Sequence, residues 1–334
     1  MKYDMIMGKT LLLLFILLSG SLTVASENLR FHENGSFKIV QFTDLHYIYG
    51  DKRADVVLLC LNEVLDAEKP DLVLLTGDLI YGRPAAKGLR TILDLVASRH
   101  IPFGVVFGNH DDEQGLSRKE LLDIISAYPG NLTECQDGIH GVTNYVLPVY
   151  SADGGKVSGV LYCMDSNSYS CLSDIPGYDY IRFDQIAWYR EHSREYTTQN
   201  QGRPLPALAF FHIPLPEYRQ AVTDENAVMV GTRMEKVCAP EMNSGLFTAM
   251  REMGDVKGVF VGHDHDNDYV VYWNNILLAY GRYSGGNTVY NHLSNGARVI
   301  EWRENGKRFD TWIRLRNDSV IQKVSCPDSF IKKD

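Results

Sequence analysis

The chain has 334 residues, of which 45% are hydrophobic and 22% charged, and its formal net charge is −9. This composition excludes a largely disordered protein and allows a substantial buried core. The acidic excess, with no run of Lys and Arg to offset it, excludes a nucleic-acid surface, so an anionic small-molecule substrate would need a local positive centre.

At the N-terminus, Lys2 and Lys9 precede an apolar run from Leu11 to Leu18 that continues weakly to Val24, with Thr23 and Ala25 as small residues before Ser26. This reads as a secretory signal peptide over residues 1–25, too short in its apolar core for a membrane span. The expectation is an exported protein, periplasmic or secreted, with no stable membrane insertion after cleavage and a single domain over 26–334. Six cysteines then permit disulfides, and Cys163 with Cys171 is the candidate pair. No C-x-x-C spacing is present, and Cys60 falls on the apolar stripe of a predicted helix, which argues against a structural zinc or redox motif. The sequons at Asn34, Asn131 and Asn317 matter only where exported proteins are glycosylated.

From Phe37 onward, short apolar runs alternate with amphipathic stretches. FKIVQFTD reads as a strand, Ala54–Glu68 as a helix stopped by Pro70, DLVLLTGD as the next strand, Ala85–Arg99 as a second helix and PFGVVFGNHD as a third strand. Consecutive β–α–β units imply a parallel sheet. Further strands are predicted at Thr143–Tyr150, Val157–Met164, Ala207–His212 and Lys257–Val261, with helices at Arg182–Tyr196 and Glu241–Met253. The last part is strand-rich: Tyr269–Trp273, Ile276–Tyr280, Ala297–Arg303 and Phe309–Leu315 are separated by turn signals.

Residues able to bind metal appear where these strands end: Asp44 and His46 in TDLH, Asp78 in TGDLIY, Asn109 before His110 and Asp111 in GNHDD, His212 in FFHIP, and His263 and His265 in VGHDH. Sites assemble at the carboxyl ends of parallel strands, so five separate segments can meet in one cleft. Imidazole and carboxylate donors suit zinc, iron or manganese, and a carboxylate such as Asp78 can bridge two ions that clamp a phosphate and activate water. Glycines directly before Asp78, Asn109 and His263 are expected to permit sharp turns.

The order D-x-H, GD, GNHD, H, GHxH resembles the calcineurin-like metallophosphoesterases, over Gln41 to about Tyr290. TDLHYIYG, FGNHDD, HIPLPEY, VFVGHDHDNDY and YGRYSGG resemble the purple acid phosphatase-like branch. The resemblance implies an α/β fold, a four-layer α-β-β-α sandwich of two mixed sheets with a dinuclear metal site at the strand ends. It implies one metal on Asp44, His46, Asp78 and His265 and a second on Asp78, Asn109, His212 and His263, with Asp78 bridging. His110 would then assist the transition state or the leaving group and Asp111 would orient it. Purple acid phosphatases proper use a tyrosinate from GDxxY and lack the histidine of D-x-H, where this chain has both His46 and Tyr81; His46 is favoured because D-x-H directly follows the strand, which leaves Tyr81 to line the pocket or pack in the core. Tyr47, Tyr218, Arg282 and Tyr283, near the motifs, are candidate substrate contacts. The expected activity is hydrolysis of a small phosphate ester, most simply a monoester; a diesterase with the same core and a non-catalytic exported binding protein are the alternatives.

Overall fold

A period of two in the strands, each face covered by apolar neighbours, sets the layering. In β1 (Ser36–Phe42) Phe37 and Ile39 face one side and Val40 and Phe42 the other, and β2 (Leu72–Thr76) repeats this with Leu72 and Leu74 against Val73 and Leu75. The computed structural model describes residues 28–304 and 308–331, so the expected signal peptide lies outside the described residues. No helix among them is long and apolar enough to cross a membrane.

Helices α1 (Asp55–Glu68), α2 (Ala85–Ala97) and α3 (Arg118–Ser126) pack on the Val40 face of β1. The strand β3 (Phe103–Val106) completes a parallel trio with β1 and β2. A second sheet is built from β4 (Tyr145–Tyr150), β5 (Val157–Cys163), β6 (Ala207–Phe210), β7 (Met229–Val230), β8 (Val256–Val261), β9 (Val270–Trp273) and β10 (Ile276–Tyr280). Its spatial order is β4-β5-β6-β8-β10-β9-β7, with β5, β6, β8 and β10 parallel. The chain then returns to the first sheet as the antiparallel strands β11 (Gly296–Arg303), β12 (Phe309–Leu315) and β13 (Val320–Cys326), giving the order β13-β12-β11-β1-β2-β3. Helices α4 (Phe183–Gln199), α5 (Glu217–Ala221) and α6 (Leu246–Met253) cover the outer face of the second sheet. The result is the four-layer α-β-β-α sandwich with two mixed sheets.

Between the sheets, Phe37, Leu74, Leu208, Phe210, Phe260 and Trp302 form the central core, each such side chain contributing about 1.5–3 kcal/mol by burial. The Trp302 ring lies over Gly159, where a Cβ would overlap it. Four elements depart from the sequence expectations. The α3 helix, with a capping box between Ser117 and Glu120, is short and polar on its outer face. The others are the five-residue α5, the two-residue β7 and the exposed edge strand β13. The helix expected from Glu241 starts at Leu246, after Gly245 at φ 82°. The candidate disulfide is not formed: Cys163 is buried between the sheets, Cys171 is exposed, and all six thiols are free.

Candidate metal centre

The parallel strands of both sheets end at one edge of the sandwich. Pairing persists past β1 and β2, where Asp44 N–H donates to Gly77 O (3.1 Å) and His46 N–H to Asp78 O (2.9 Å). Asp44, His46, Asp78 and His263 all take positive φ, at 55°, 44°, 52° and 78°, a left-handed backbone that is disfavoured for residues with a Cβ and concentrates at functional sites. The strain therefore sits on the candidate ligands themselves. Only Gly77 among the three preceding glycines has positive φ (92°). At Gly108 and Gly262 the need is room, since a Cβ would overlap Oδ1 of Asp78 at the first and the Thr43 hydroxyl at the second.

Two donor groups converge there. Asp44, His46 and His265 form one and Asp78, His212 and His263 the other, the donor atoms of each lying within 4.8 Å of one another. His46 Nε2 is 3.0 Å from His265 Nε2, and His212 Nε2 is 3.3 Å from His263 Nδ1. Asp78 Oδ2 stands between the groups, 3.1 Å from His212 Nε2 and 3.6 Å from His46 Nε2. That is where a bridging carboxylate belongs.

Burial holds His46 and His263 well below the ordinary imidazole range, which keeps them neutral and their lone pairs available. His212 is raised to about 9: burial opposes its charge, but the Asp78 carboxylate outweighs it. Burial would likewise raise Asp78, yet His212 beside it holds the carboxyl well below the usual range. Burial raises Asp44 despite His212 and His265. The far nitrogens of two histidines are fixed by carbonyls, His212 Nδ1 at 2.8 Å from Thr76 O and His265 Nδ1 at 2.9 Å from Tyr290 O, which turns Nε2 of each toward the cavity. Asn109 Oδ1 is buried without a hydrogen-bond partner. A buried orphan oxygen is costly, and this one is the neutral donor that a cation would satisfy. The donor set thus fits two borderline transition-metal ions.

Around this centre the structure reassigns several residues. Asp111 does not face His110: its carboxylate accepts the backbone N–H of Gly108 (2.7 Å), Leu79 (2.7 Å) and Asp78 (3.0 Å), tying the loops after β2 and β3 together. The carboxylate beside His110 is that of Glu113, 2.6 Å from Nδ1. The His46 ring nitrogen enters the first donor group, whereas the Tyr81 ring packs edge-on against both His46 and His110, at 5.1 and 5.2 Å between centroids. The four candidate substrate contacts each have partners within the protein. Tyr47 packs in the helix layer, and the Tyr218 hydroxyl donates to Val259 O (3.0 Å) inside the second sheet's core. Arg282 is bound to Asp268 and to Ser294 O. Tyr283 donates to Gly286 O (2.7 Å) while its ring braces His265.

The aromatic rim was not foreseen. Tyr290 stacks on His265 (4.5 Å) and Tyr178 meets His263 edge-on (4.2 Å). The Tyr169 hydroxyl donates to Glu113 (2.8 Å) and accepts from Asn109 Nδ2 (3.3 Å). These residues lie in loops without a ligand motif, and only proximity in the fold reveals them.

A two-sheet sandwich with paired imidazole and carboxylate groups at its strand ends is the architecture of a binuclear phosphoesterase. The chain belongs to the calcineurin-like phosphoesterase family, whose model matches residues 37–267. Its relatives include the probable inactive purple acid phosphatase 29 of Arabidopsis thaliana, 33% identical over 338 residues that cover 90% of this chain and 86% of the relative. Another is the phosphatase DCR2 of Saccharomyces cerevisiae, 35% identical over 87% of this chain and 55% of the relative. Among solved structures, a dimetal phosphatase from Danio rerio shares the fold at a TM-score of 0.59 and 14% identity, over 86% of this chain and 98% of that one.

Proposed function

We propose that the protein is an exported phosphomonoesterase that holds two ions of iron, manganese or zinc. The observation that carries this is the position of the Asp78 carboxylate between two donor groups. The first ion would take Asp44, His46, Asp78 and His265, and the second Asp78, Asn109, His212 and His263. Bound ions supply positive charge for the phosphate and activation of water.

Hydrolysis forms a bond from a water oxygen to phosphorus and breaks the bond from phosphorus to the ester oxygen, giving an alcohol and inorganic phosphate. His110 is placed to give the departing oxygen its proton. Glu113 accepts from Nδ1–H, which leaves Nε2 as the nitrogen free to act. The backbone N–H of His110 donates to Asp78 Oδ1 (2.9 Å), which ties the loop that carries His110 to the carboxylate between the groups. Tyr178 meets the His263 ring edge-on and Tyr290 stacks on His265, so an aromatic side chain stands against a histidine of each donor group.

Names of some relatives predict loss of activity. In this chain all seven ligand-type residues and His110 are present, and six of the seven form the two donor groups, which favours chemistry over a binding role alone. The test compares Asp78→Asn with His110→Ala. Asp78→Asn is expected to lose metal and activity together. His110→Ala should keep about two ions while turnover of an alkyl phosphate falls roughly 10²–10⁴-fold, with a smaller fall for nitrophenyl phosphate, whose leaving group needs little protonation. Metal loss in His110→Ala, or full activity on alkyl phosphates, would overturn its role. Hydrolysis of bis-nitrophenyl phosphate in preference to nitrophenyl phosphate would make the enzyme a diesterase.

A further inference from the structure

Beside the second donor group lies a cavity of about 480 Å³ that no step of the proposed hydrolysis uses. It adjoins the centre through two contacts. Tyr178, which lines it, meets the His263 ring at 4.2 Å. Cys238 in the same lining donates its backbone N–H to the carboxylate of Asp264 (3.2 Å), the residue between His263 and His265.

The lining is cationic in a chain whose net charge is −9. Arg219, Arg233 and Lys236 face one acid, Glu241, which pairs with Arg219 at 3.4 Å. Arg219 is further tied to Val237 O (3.1 Å) and to Ala239 O, so it forms part of the wall. Arg233 and Lys236 have no carboxylate partner among the described residues. The neighbouring acid Glu235 is engaged elsewhere: it accepts the N–H of Asp266 (2.7 Å) and the hydroxyl of Tyr290 (3.1 Å), and its carboxylate lies beside Cys238 and Asp264, with no ion pair to Arg233 or Lys236. Two exposed cations without a carboxylate partner among the described residues thus stand at a cavity that Tyr178 joins to the candidate metal centre. An arginine fork beside a lysine matches a phosphate dianion.

We propose that this cavity is a second anion subsite, through which the protein selects phosphate monoesters whose alcohol carries a second phosphate group. The inference rests on the phosphomonoesterase reading of the centre. One phosphate occupies the donor groups, the linker passes Tyr178, and the second phosphate meets Arg233 and Lys236. Because these cations touch only the remote group, they act on substrate capture and leave the bond-breaking step alone.

The test uses the metal-loaded full chain with hexyl phosphate and hexane-1,6-diol bisphosphate, on the wild type and on the double variant R233Q/K236Q. The wild type should show kcat/KM about tenfold higher for the bisphosphate, expressed in KM and shrinking with added salt. The double variant should bring the two substrates level while hexyl phosphate is unaffected. Equal kcat/KM for the two in the wild type, or a variant that lowers both alike, overturns the subsite. Hydrolysis of hexyl phosphate by the wild type reads the phosphomonoesterase activity separately. If neither ester turns over, calorimetric titration with hexane-1,6-bisphosphonate against hexylphosphonate decides: tighter binding of the former that R233Q/K236Q abolishes supports the subsite, and equal binding overturns it.

Discussion

Glu113 and Asp111 sit two residues apart in the loop after β3, yet one faces the His110 imidazole and the other the backbone beneath Asp78. Their replacement should therefore fail in different ways. Asp111→Ala leaves the N–H groups of Gly108, Leu79 and Asp78 without their acceptor, each costing about 1–3 kcal/mol when buried and unpaired. Metal content and melting temperature are expected to drop together, which metal analysis and calorimetry would show. Glu113→Gln keeps a hydrogen-bond acceptor but removes the charge beside the ring. It should retain both ions and slow alkyl phosphate hydrolysis roughly 10–100-fold, the range for lost orienting partners, with a smaller effect on nitrophenyl phosphate. A variant that loses its metal would show that Glu113 holds the loop and leaves the proton to another group.

At the scale of strands and loops, Gly108, two residues beyond β3, makes a sharper test than any candidate ligand. Gly108→Ala adds one methyl group against Asp78 Oδ1, and overpacking of this kind costs about 1–3 kcal/mol. Weaker metal binding with an intact fold is expected, read by metal titration and circular dichroism. A protein that binds metal as tightly as the wild type would mean the loop yields without moving Asp78. The same strand ends explain what could be read beforehand. The apolar period, the glycines and the ligand types are local, so β1, β2, β3, β6 and β8 and the residues that follow them were legible in the sequence. Facing was harder. Tyr47 follows His46 directly, yet its ring enters the helix layer while His46 joins the first donor group; the turn between them is made past the end of β1, with His46 at φ 44°, where strand alternation no longer applies. Tyr218, Arg282 and Tyr283 could not be assigned from local pattern either. Their partners are the carbonyl of Val259, the carboxylate of Asp268 and the backbone of Gly286, contacts that only tertiary structure creates. The same holds for Tyr178 and Tyr290 against the histidines.

For the whole molecule, the donors divide between the two halves of the sandwich. Asp44, His46, Asp78 and Asn109 follow strands of the first sheet, and His212, His263 and His265 follow strands of the second. Ions shared between the halves should stabilise the entire fold, by about 4 kcal/mol at a thousandfold excess over the dissociation constant. Treatment with a chelator is therefore expected to lower the melting temperature by roughly 10 °C, and manganese, zinc or iron should restore it better than magnesium, which prefers oxygen donors. An unchanged melting temperature would show that the inter-sheet core alone fixes the halves. The division also bears on when the centre can exist. Asp44 and His263, joined by a hydrogen bond from the His263 N–H, are 219 residues apart, so a chain still emerging from the ribosome, or threaded unfolded across a membrane, carries only fragments of the coordination sphere. On the proposed ligand assignment, the complete centre forms once the second sheet has closed on the first. Under that assignment the ions bound would be those available in the compartment where folding finishes, and metal identity would record the place of folding as much as the ligand set.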